Sequence, residues 1–220
     1  MKIRVLWNVL LVRLNIREVL AVDVIRKTGI RENNEVMILL PRKKMIVSNK
    51  NVDIYGRKSV VEKLTAINRK LEGQGYQLCI FDLYRDENTQ KNRRLKEYEN
   101  LKKEYPGYDE TVLNRILDKR VVNIKKNYAG GHQTGGAVDL TICTEDGREL
   151  DMGTKYLEFN EKTKTRSGKL SKEQAGNRKR LLELMEKEDF VNYPGEWWHF
   201  SYGDAAWAAY KNNSSIWTVC

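Results

Sequence analysis

The chain has 220 residues, a net charge of +10 at pH 7, 32% charged residues and a mean hydropathy of −0.65. This length suits one domain with a buried core, and the hydropathy and the lack of any apolar run of membrane-spanning length exclude an integral membrane protein. Basic and acidic residues are interleaved, as in residues 93–99, and form no basic run of the kind that binds polyanions. We therefore predict a lysine-rich, solvated surface and no nucleic-acid site.

The N-terminal segment, residues 1–45, has the fewest recognisable features. Its apolar run Val5–Val12 follows two basic residues as in a signal peptide, but the run contains an asparagine, stops at an arginine and lacks a clear cleavage site. We predict that this segment packs on a domain formed by residues 46–220. Within it, Val36–Leu40 is expected to be a short strand.

The three cysteines, Cys79, Cys143 and Cys220, are odd in number and far apart in sequence. This spacing fits neither a disulfide framework nor a paired-cysteine zinc site. Cys79 and Cys143 lie in apolar, strand-like runs and are expected to be small buried hydrophobic residues. A reducing compartment would suit them, so we expect a cytoplasmic protein, with export to the periplasm or cell envelope as the alternative.

The middle of the chain shows clear local signals. Ser59 and Glu62 have the spacing of a capping box, and apolar residues then recur at helical intervals until Gly73. The run Tyr76–Tyr84 reads as a buried strand that delivers Arg85 at its C-terminal end, a position that commonly carries function.

Further along, the pattern predicts a polar helix over 87–105, a second helix capped by Asp109, a strand at Ala137–Cys143 and a helix opened by a capping box of Ser171 and Gln174. Helices thus come before, between and after strands that are joined by short turns. We predict an α+β fold, a small antiparallel sheet flanked by helices.

Both histidines of the chain lie beside carboxylates in short, distinctive segments. His132 and Asp139 belong to a glycine-rich run, and His199 ends the run Glu196-Trp-Trp-His. Taken alone, a histidine is more often a surface or core residue, and Trp-Trp-His also fits an apolar strand. Catalytic zinc takes three protein ligands and leaves a fourth position for water. We therefore predict that His132, Asp139 and His199 bind one zinc ion per chain and that Glu196 is the general base.

These two runs also resemble the signatures of a known family. HQTGGAVDLT resembles the His-x-x-Gly-x-Ala-x-Asp signature of the D-alanyl-D-alanine dipeptidase group of metallopeptidases, and EWWHFSYGD resembles its Glu-x-x-His signature. The resemblance spans about residues 59 to 210 and implies the same ligands and base. It also implies that Arg85 holds the oxyanion of the transition state, although Asp86 stands where the family usually has proline.

The resemblance implies one more site residue. Dipeptidases of this type generally have an aspartate just after the aromatic residue that follows a Met-Gly-Thr segment, where it meets the substrate's ammonium group. Here Leu157 stands at that position and Glu158 comes next. On an extended segment Glu158 would point to the opposite face. It can replace the aspartate only if the chain is kinked, and we predict that the chain is kinked and that Glu158 binds the substrate's ammonium group.

The expected function follows from this resemblance. It implies zinc-dependent hydrolysis of D-alanyl-D-alanine or a similar cell-wall dipeptide, with release of D-alanine, and a small peptide as the binding partner. One alternative is a D,D-carboxypeptidase that trims longer peptidoglycan stem peptides. Another is a zinc-holding binding domain without turnover, against which the presence of both Glu196 and Arg85 argues.

Overall fold

The structure is a computed structural model that describes residues 31–42, 45–48, 52–121, 123, 130–211 and 216–217. Most of the segment 1–45, including Val5–Val12, lies outside the described residues, and so does Cys220. The division into 1–45 and 46–220 stays a prediction. None of the helices in the described ranges has the length and hydrophobicity that a membrane crossing needs.

The described residues contain seven strands in two sheets: β1 Met37–Leu39, β2 Ile46–Val47, β3 Tyr55–Arg57, β4 Tyr76–Asp82, β5 Ala137–Thr144, β6 Val191–Asn192 and β7 His199–Ser201. Strands β1 and β3 pair with each other, and the other five form a sheet in the order β2-β4-β5-β7-β6. Every neighbouring pair is antiparallel except β2 and β4, which run parallel.

Five α-helices lie in the same ranges: α1 Lys58–Glu72, α2 Glu87–Glu104, α3 Glu110–Arg120, α4 Lys172–Lys187 and α5 Ala205–Lys211. Helix α1 buries one apolar face against the large sheet, because its apolar residues recur every three or four positions. Helices α2 and α3 share a separate small core of Leu101, Leu113, Leu117 and Val121. The α+β prediction is confirmed, with the parallel β2–β4 pair as its one departure.

Two local predictions differ from the structure. Helix α1 begins at Lys58, so Ser59 lies inside its first turn and the capping box with Glu62 does not form. The carboxylate of Glu35 accepts a hydrogen bond from the Ser59 backbone N–H instead. The run Glu196-Trp-Trp-His is also not a strand throughout, because β7 starts only at His199 and the preceding residues form a turn. The capping box of Ser171 and Gln174 is confirmed.

Candidate metal centre and active site

The register of the large sheet brings three functional side chains into one row. Asp139 of β5 lies directly opposite Asp82 of β4 on one side and His199 of β7 on the other. The register shifts between Ile80 and Asp82, so Phe81 is an extra residue in β4. Such a β-bulge changes the direction of the side chain that follows it. Without it, Phe81 and not Asp82 would face Asp139.

His132 comes from a short 3₁₀ helix, Gly131–Thr134, whose His132 carbonyl accepts a hydrogen bond from the Arg85 backbone N–H at 3.1 Å, just after β4. Its Nδ1 lies 2.6 Å from the carbonyl oxygen of Leu83. A carbonyl can only accept a hydrogen bond, so Nδ1 carries the proton and Nε2 is left with a free lone pair. Arg57 stabilises the short helix, because its Nε donates to the carbonyl of Thr134 at 2.9 Å.

Gly131 is needed for this arrangement. A Cβ atom at this position would lie 2.2 Å from Oδ2 of Asp204 and 2.7 Å from the Cβ of Ala137. Both distances are far below van der Waals contact, and Ala137 belongs to the rigid strand β5. The glycine therefore lets the segment that carries His132 approach the sheet closely.

His132, Asp139 and His199 form one cluster whose ligand atoms all lie within 4.8 Å of one another. Nδ1 of His199 is 2.9 Å from Oδ1 of Asp139, and Nε2 of His132 is 3.4 Å from Oδ2 of the same carboxylate. Two imidazole nitrogens and one carboxylate oxygen are the donor set of a catalytic zinc site. The Leu83 carbonyl fixes the tautomer of His132 as outer hydrogen-bond partners of metal ligands commonly do. The residues present therefore fit a metal, and their role as ligands stays a prediction.

The electrostatics of the cluster shift the pKa values of these groups in different directions. Burial, aided by the nearby Arg85, lowers the pKa of His132, which favours the neutral form that binds metals. Burial also opposes the charged form of His199, but the hydrogen bond and the charge of Asp139 outweigh it and raise the pKa of His199. Burial likewise opposes ionisation of Asp139, yet the two histidines hold its pKa well below the usual range.

Glu196 sits on the turn before β7. The His199 backbone N–H donates to the Glu196 carbonyl at 3.3 Å, while Trp197 and Trp198 anchor the turn in the main core. Burial raises the pKa of Glu196 from 4.5 to about 7; the charge of His199 opposes this rise and that of Asp139 adds to it. A carboxylate with such a pKa can both take and return a proton near neutral pH.

Arg85 follows β4 and points into the same site. Its Nε donates to Oδ2 of Asp82 at 3.0 Å, and its Nη2 lies 3.8 Å from Oδ2 of Asp139. Asp86 does not compete for it, because its side chain caps α2 by accepting from the Thr89 backbone N–H at 2.9 Å. The anion paired with Arg85 is Asp82, which sequence analysis did not single out.

These groups surround a cavity of about 360 Å³, a size typical of small-ligand sites. Its wall includes Arg85, His132, Asp139, Glu196 and His199, and the C-terminal end of α3 closes another side. The wall also contains three residues that sequence analysis missed, namely Gln90, Arg93 and Asp204. Gln90 and Arg93 both lie on α2, far from the histidines in sequence, so no local motif links them to the histidines. Asp204 ends the run EWWHFSYGD and caps α5 by accepting from the Trp207 backbone N–H at 2.8 Å.

Glu158 does not reach this cavity. The chain is kinked at Leu157, which has a left-handed φ of 64°. The kink nevertheless leaves Glu158 exposed, with its carboxylate accepting hydrogen bonds from the Lys155 backbone N–H and the Asn160 side chain, both at 2.9 Å. Glu158 is absent from the described cavity wall. The structure thus brings together five of the six predicted site residues and leaves Glu158 outside.

A family model described as D-ala-D-ala dipeptidase, of the M15 peptidases, matches residues 42–218. The chain belongs to the D-alanyl-D-alanine dipeptidase family. It is therefore an enzyme of a metallopeptidase family, and the recognition made from the two sequence signatures is confirmed.

Individual members of the dipeptidase family are similar over most of the chain. A D-alanyl-D-alanine dipeptidase of Enterococcus faecium is 32% identical over 157 residues, which cover 69% of this chain and 74% of that protein. One from Enterococcus faecalis is 28% identical over 160 residues, with the same coverage of both chains. Among solved structures, a mutant of the vancomycin-resistance D,D-pentapeptidase VanY in complex with Zn(II) aligns with a TM-score of 0.48 and 13% identity, over 84% of this chain and 94% of that one.

Proposed function

We propose that this protein hydrolyses D-alanyl-D-alanine or a similar cell-wall dipeptide and releases D-alanine, with one zinc ion bound by His132, Asp139 and His199. The observation that carries the proposal is the convergence of these three side chains within 4.8 Å, beside Glu196 in one cavity. Membership of the dipeptidase family and the names of the relatives support the choice of substrate.

A zinc ion held by His132, Asp139 and His199 would act as a Lewis acid, which would lower the pKa of a bound water to about 7 and polarise the scissile carbonyl. Glu196 takes the proton from the attacking water, because its carboxylate lines the same cavity as the three ligands without being one of them. The same group then returns the proton to the departing amine. This second transfer completes the cleavage without a covalent enzyme intermediate.

Arg85 stabilises the oxyanion that forms on the substrate carbonyl. Three of its N–H groups donate to Asp82 and Gln90. A guanidinium carries five, so two make no hydrogen bond with the part of the chain that the structure describes and can donate to the substrate. Interactions that strengthen as charge develops accelerate the reaction. The Arg85→Ala variant should therefore keep its metal and lose about 10²–10³-fold in kcat/KM. A kcat/KM equal to that of the wild type would remove Arg85 from the mechanism.

A second candidate function is a D,D-carboxypeptidase that acts on longer stem peptides. The position of Glu158 favours it, because the segment that should supply an acidic partner for the substrate's ammonium group presents Leu157 and an outward-facing Glu158. A site without such a partner would accept peptides whose amino end is blocked or extended. A non-catalytic binding domain is disfavoured, since Glu196 and Arg85 both line the cavity.

One experiment separates these functions. D-Alanine release should be measured for D-alanyl-D-alanine, its N-acetylated form and a stem pentapeptide, with and without a chelator. A dipeptidase should prefer the free dipeptide by about ten-fold or more in kcat/KM, since a charged hydrogen bond contributes about 1.5–3 kcal/mol. Equal values for all three substrates would favour the carboxypeptidase, and no release from any of them would contradict both.

A further inference from the structure

Tyr156 contacts Asp139 of the candidate metal centre. Its hydroxyl donates to Oδ2 of Asp139 at 2.9 Å, while Oδ1 of the same carboxylate accepts from His199. Tyr156 is not among the described residues that line the cavity. It can therefore act on Asp139 without touching a substrate.

Arg93 of α2 fixes the direction of this hydrogen bond. Its Nη2 donates to the Tyr156 hydroxyl oxygen at 2.9 Å. Arginine can only donate, and a hydroxyl has one proton. Because the hydroxyl oxygen accepts from Arg93, its own proton is directed to Asp139. The Nη1 of Arg93 donates to Oδ2 of Asp82 at 2.8 Å, which holds the guanidinium in place.

The tyrosine ring is itself held rigidly. It stacks on Phe81 with ring centroids 4.4 Å apart and an interplanar angle of 6°. Its edge packs against Trp198 at 5.6 Å. Phe81 is the extra residue of the β4 bulge, so the irregularity that turns Asp82 toward the site also supplies the surface on which Tyr156 rests. Both torsions of the tyrosine side chain are thereby restricted.

We propose that Tyr156, oriented by Arg93, is a positioning residue that holds the Asp139 carboxylate in the orientation required for metal binding. The inference rests on the proposed function in one respect, since it takes Asp139 as a ligand. The Asp139 carboxylate lies between the imidazoles of His132 and His199. Its Oδ2 accepts a hydrogen bond from the Tyr156 hydroxyl, whose orientation is fixed by Arg93. Loss of such an outer hydrogen-bond partner typically weakens metal binding by about 10–100-fold.

The test is the zinc affinity of the Tyr156→Phe variant, measured by competition with a chromophoric chelator. This change removes only the hydroxyl and keeps the ring that stacks on Phe81, so the fold should be retained. Zinc binding should weaken by about 10–100-fold. Tyr108→Phe is the matched control, because Tyr108 is exposed and stacks on Tyr105 away from the cavity. It should bind zinc like the wild type.

A second variant, Arg93→Gln, tests the same hydrogen-bonded chain without touching the tyrosine. It should also weaken zinc binding, since the hydroxyl proton is no longer directed to Asp139. If Arg93 acts through Tyr156, the Arg93→Gln substitution should weaken zinc binding much less in the Tyr156→Phe variant than in the wild type. The kcat of the zinc-saturated Tyr156→Phe variant should fall less than its zinc affinity, because Tyr156 is not among the described residues that line the cavity and neither the base nor Arg85 is altered.

The outcomes distinguish this inference from the proposed function. Wild-type protein that binds no zinc would refute the metal site and with it the proposed function. Wild-type protein that binds zinc tightly, together with Tyr156→Phe protein of the same affinity, would overturn the positioning role alone. Fully additive effects of the two substitutions would equally overturn the claim that Arg93 acts through Tyr156.

Discussion

The raised pKa of Glu196 predicts that the metal-free protein loses stability as the pH rises toward neutral. The ordinary glutamate pKa of 4.5 rises to about 7 in the folded chain. The folded state therefore keeps a proton that the unfolded state has already lost between these two pH values. Stability of the chelated protein should consequently decrease as pH rises from 4.5 to 7.

The expected size follows from the same shift. Each pKa unit corresponds to about 1.4 kcal/mol, so a rise from 4.5 to about 7 amounts to about 3 kcal/mol. Glu196 is partly exposed to solvent, and screening lowers the expected effect to about 2 kcal/mol. At a urea m-value of about 2 kcal/mol/M, this corresponds to a difference of about 1 M in the unfolding midpoint.

The assay compares urea unfolding of chelated wild-type protein and the Glu196→Gln variant at pH 5 and pH 8. The two proteins share all other titrating groups. The free energy of unfolding of the variant minus that of the wild type should therefore be about 2 kcal/mol larger at pH 8 than at pH 5. Added zinc should reduce this loss of stability of the wild type at pH 8, because a nearby cation favours the ionised form of Glu196. The same pH dependence in both proteins would show that Glu196 is not desolvated.

Three further outcomes are expected. His199→Ala should lose zinc itself, which metal analysis of the purified protein would detect; a full zinc content would exclude His199 as a ligand. Gly131→Ala should lower both the melting temperature and the zinc affinity, because its Cβ would collide with Asp204, whereas Gly168→Ala, with no atom within 4 Å of the added Cβ, is the control and should change neither. Glu158→Gln should leave kcat/KM for D-alanyl-D-alanine within about two-fold, because the side chain faces solvent; a ten-fold loss would place Glu158 in the substrate site.

Local signals in the sequence predicted much of the fold. The capping box at Ser171 formed as expected, because all its hydrogen bonds are made between residues three apart. The predicted box at Ser59 failed because a carboxylate from a distant segment, Glu35, takes over the backbone N–H. Predictions held where the partners are close in sequence and failed where a tertiary contact competes with them.

The same distinction applies to the site. Two short motifs were enough to predict the cluster of His132, Asp139 and His199, because each motif places its side chains at fixed spacing on a loop or strand. Arg93 and Tyr156 could not be predicted, since their hydrogen bonds depend on how α2 and the segment after β5 pack on the sheet. The β4 bulge is likewise visible only in the strand pairing.

The roles of ligand and base are separated most directly in the Glu196→Gln variant, by measuring its zinc content together with its turnover of D-alanyl-D-alanine. We predict about one zinc per chain, as a three-ligand site requires, and a loss of about 10²–10⁴-fold in turnover, the usual scale of general acid–base catalysis. A variant without zinc would make Glu196 a ligand, and a zinc-loaded variant with wild-type turnover would contradict its role as the base.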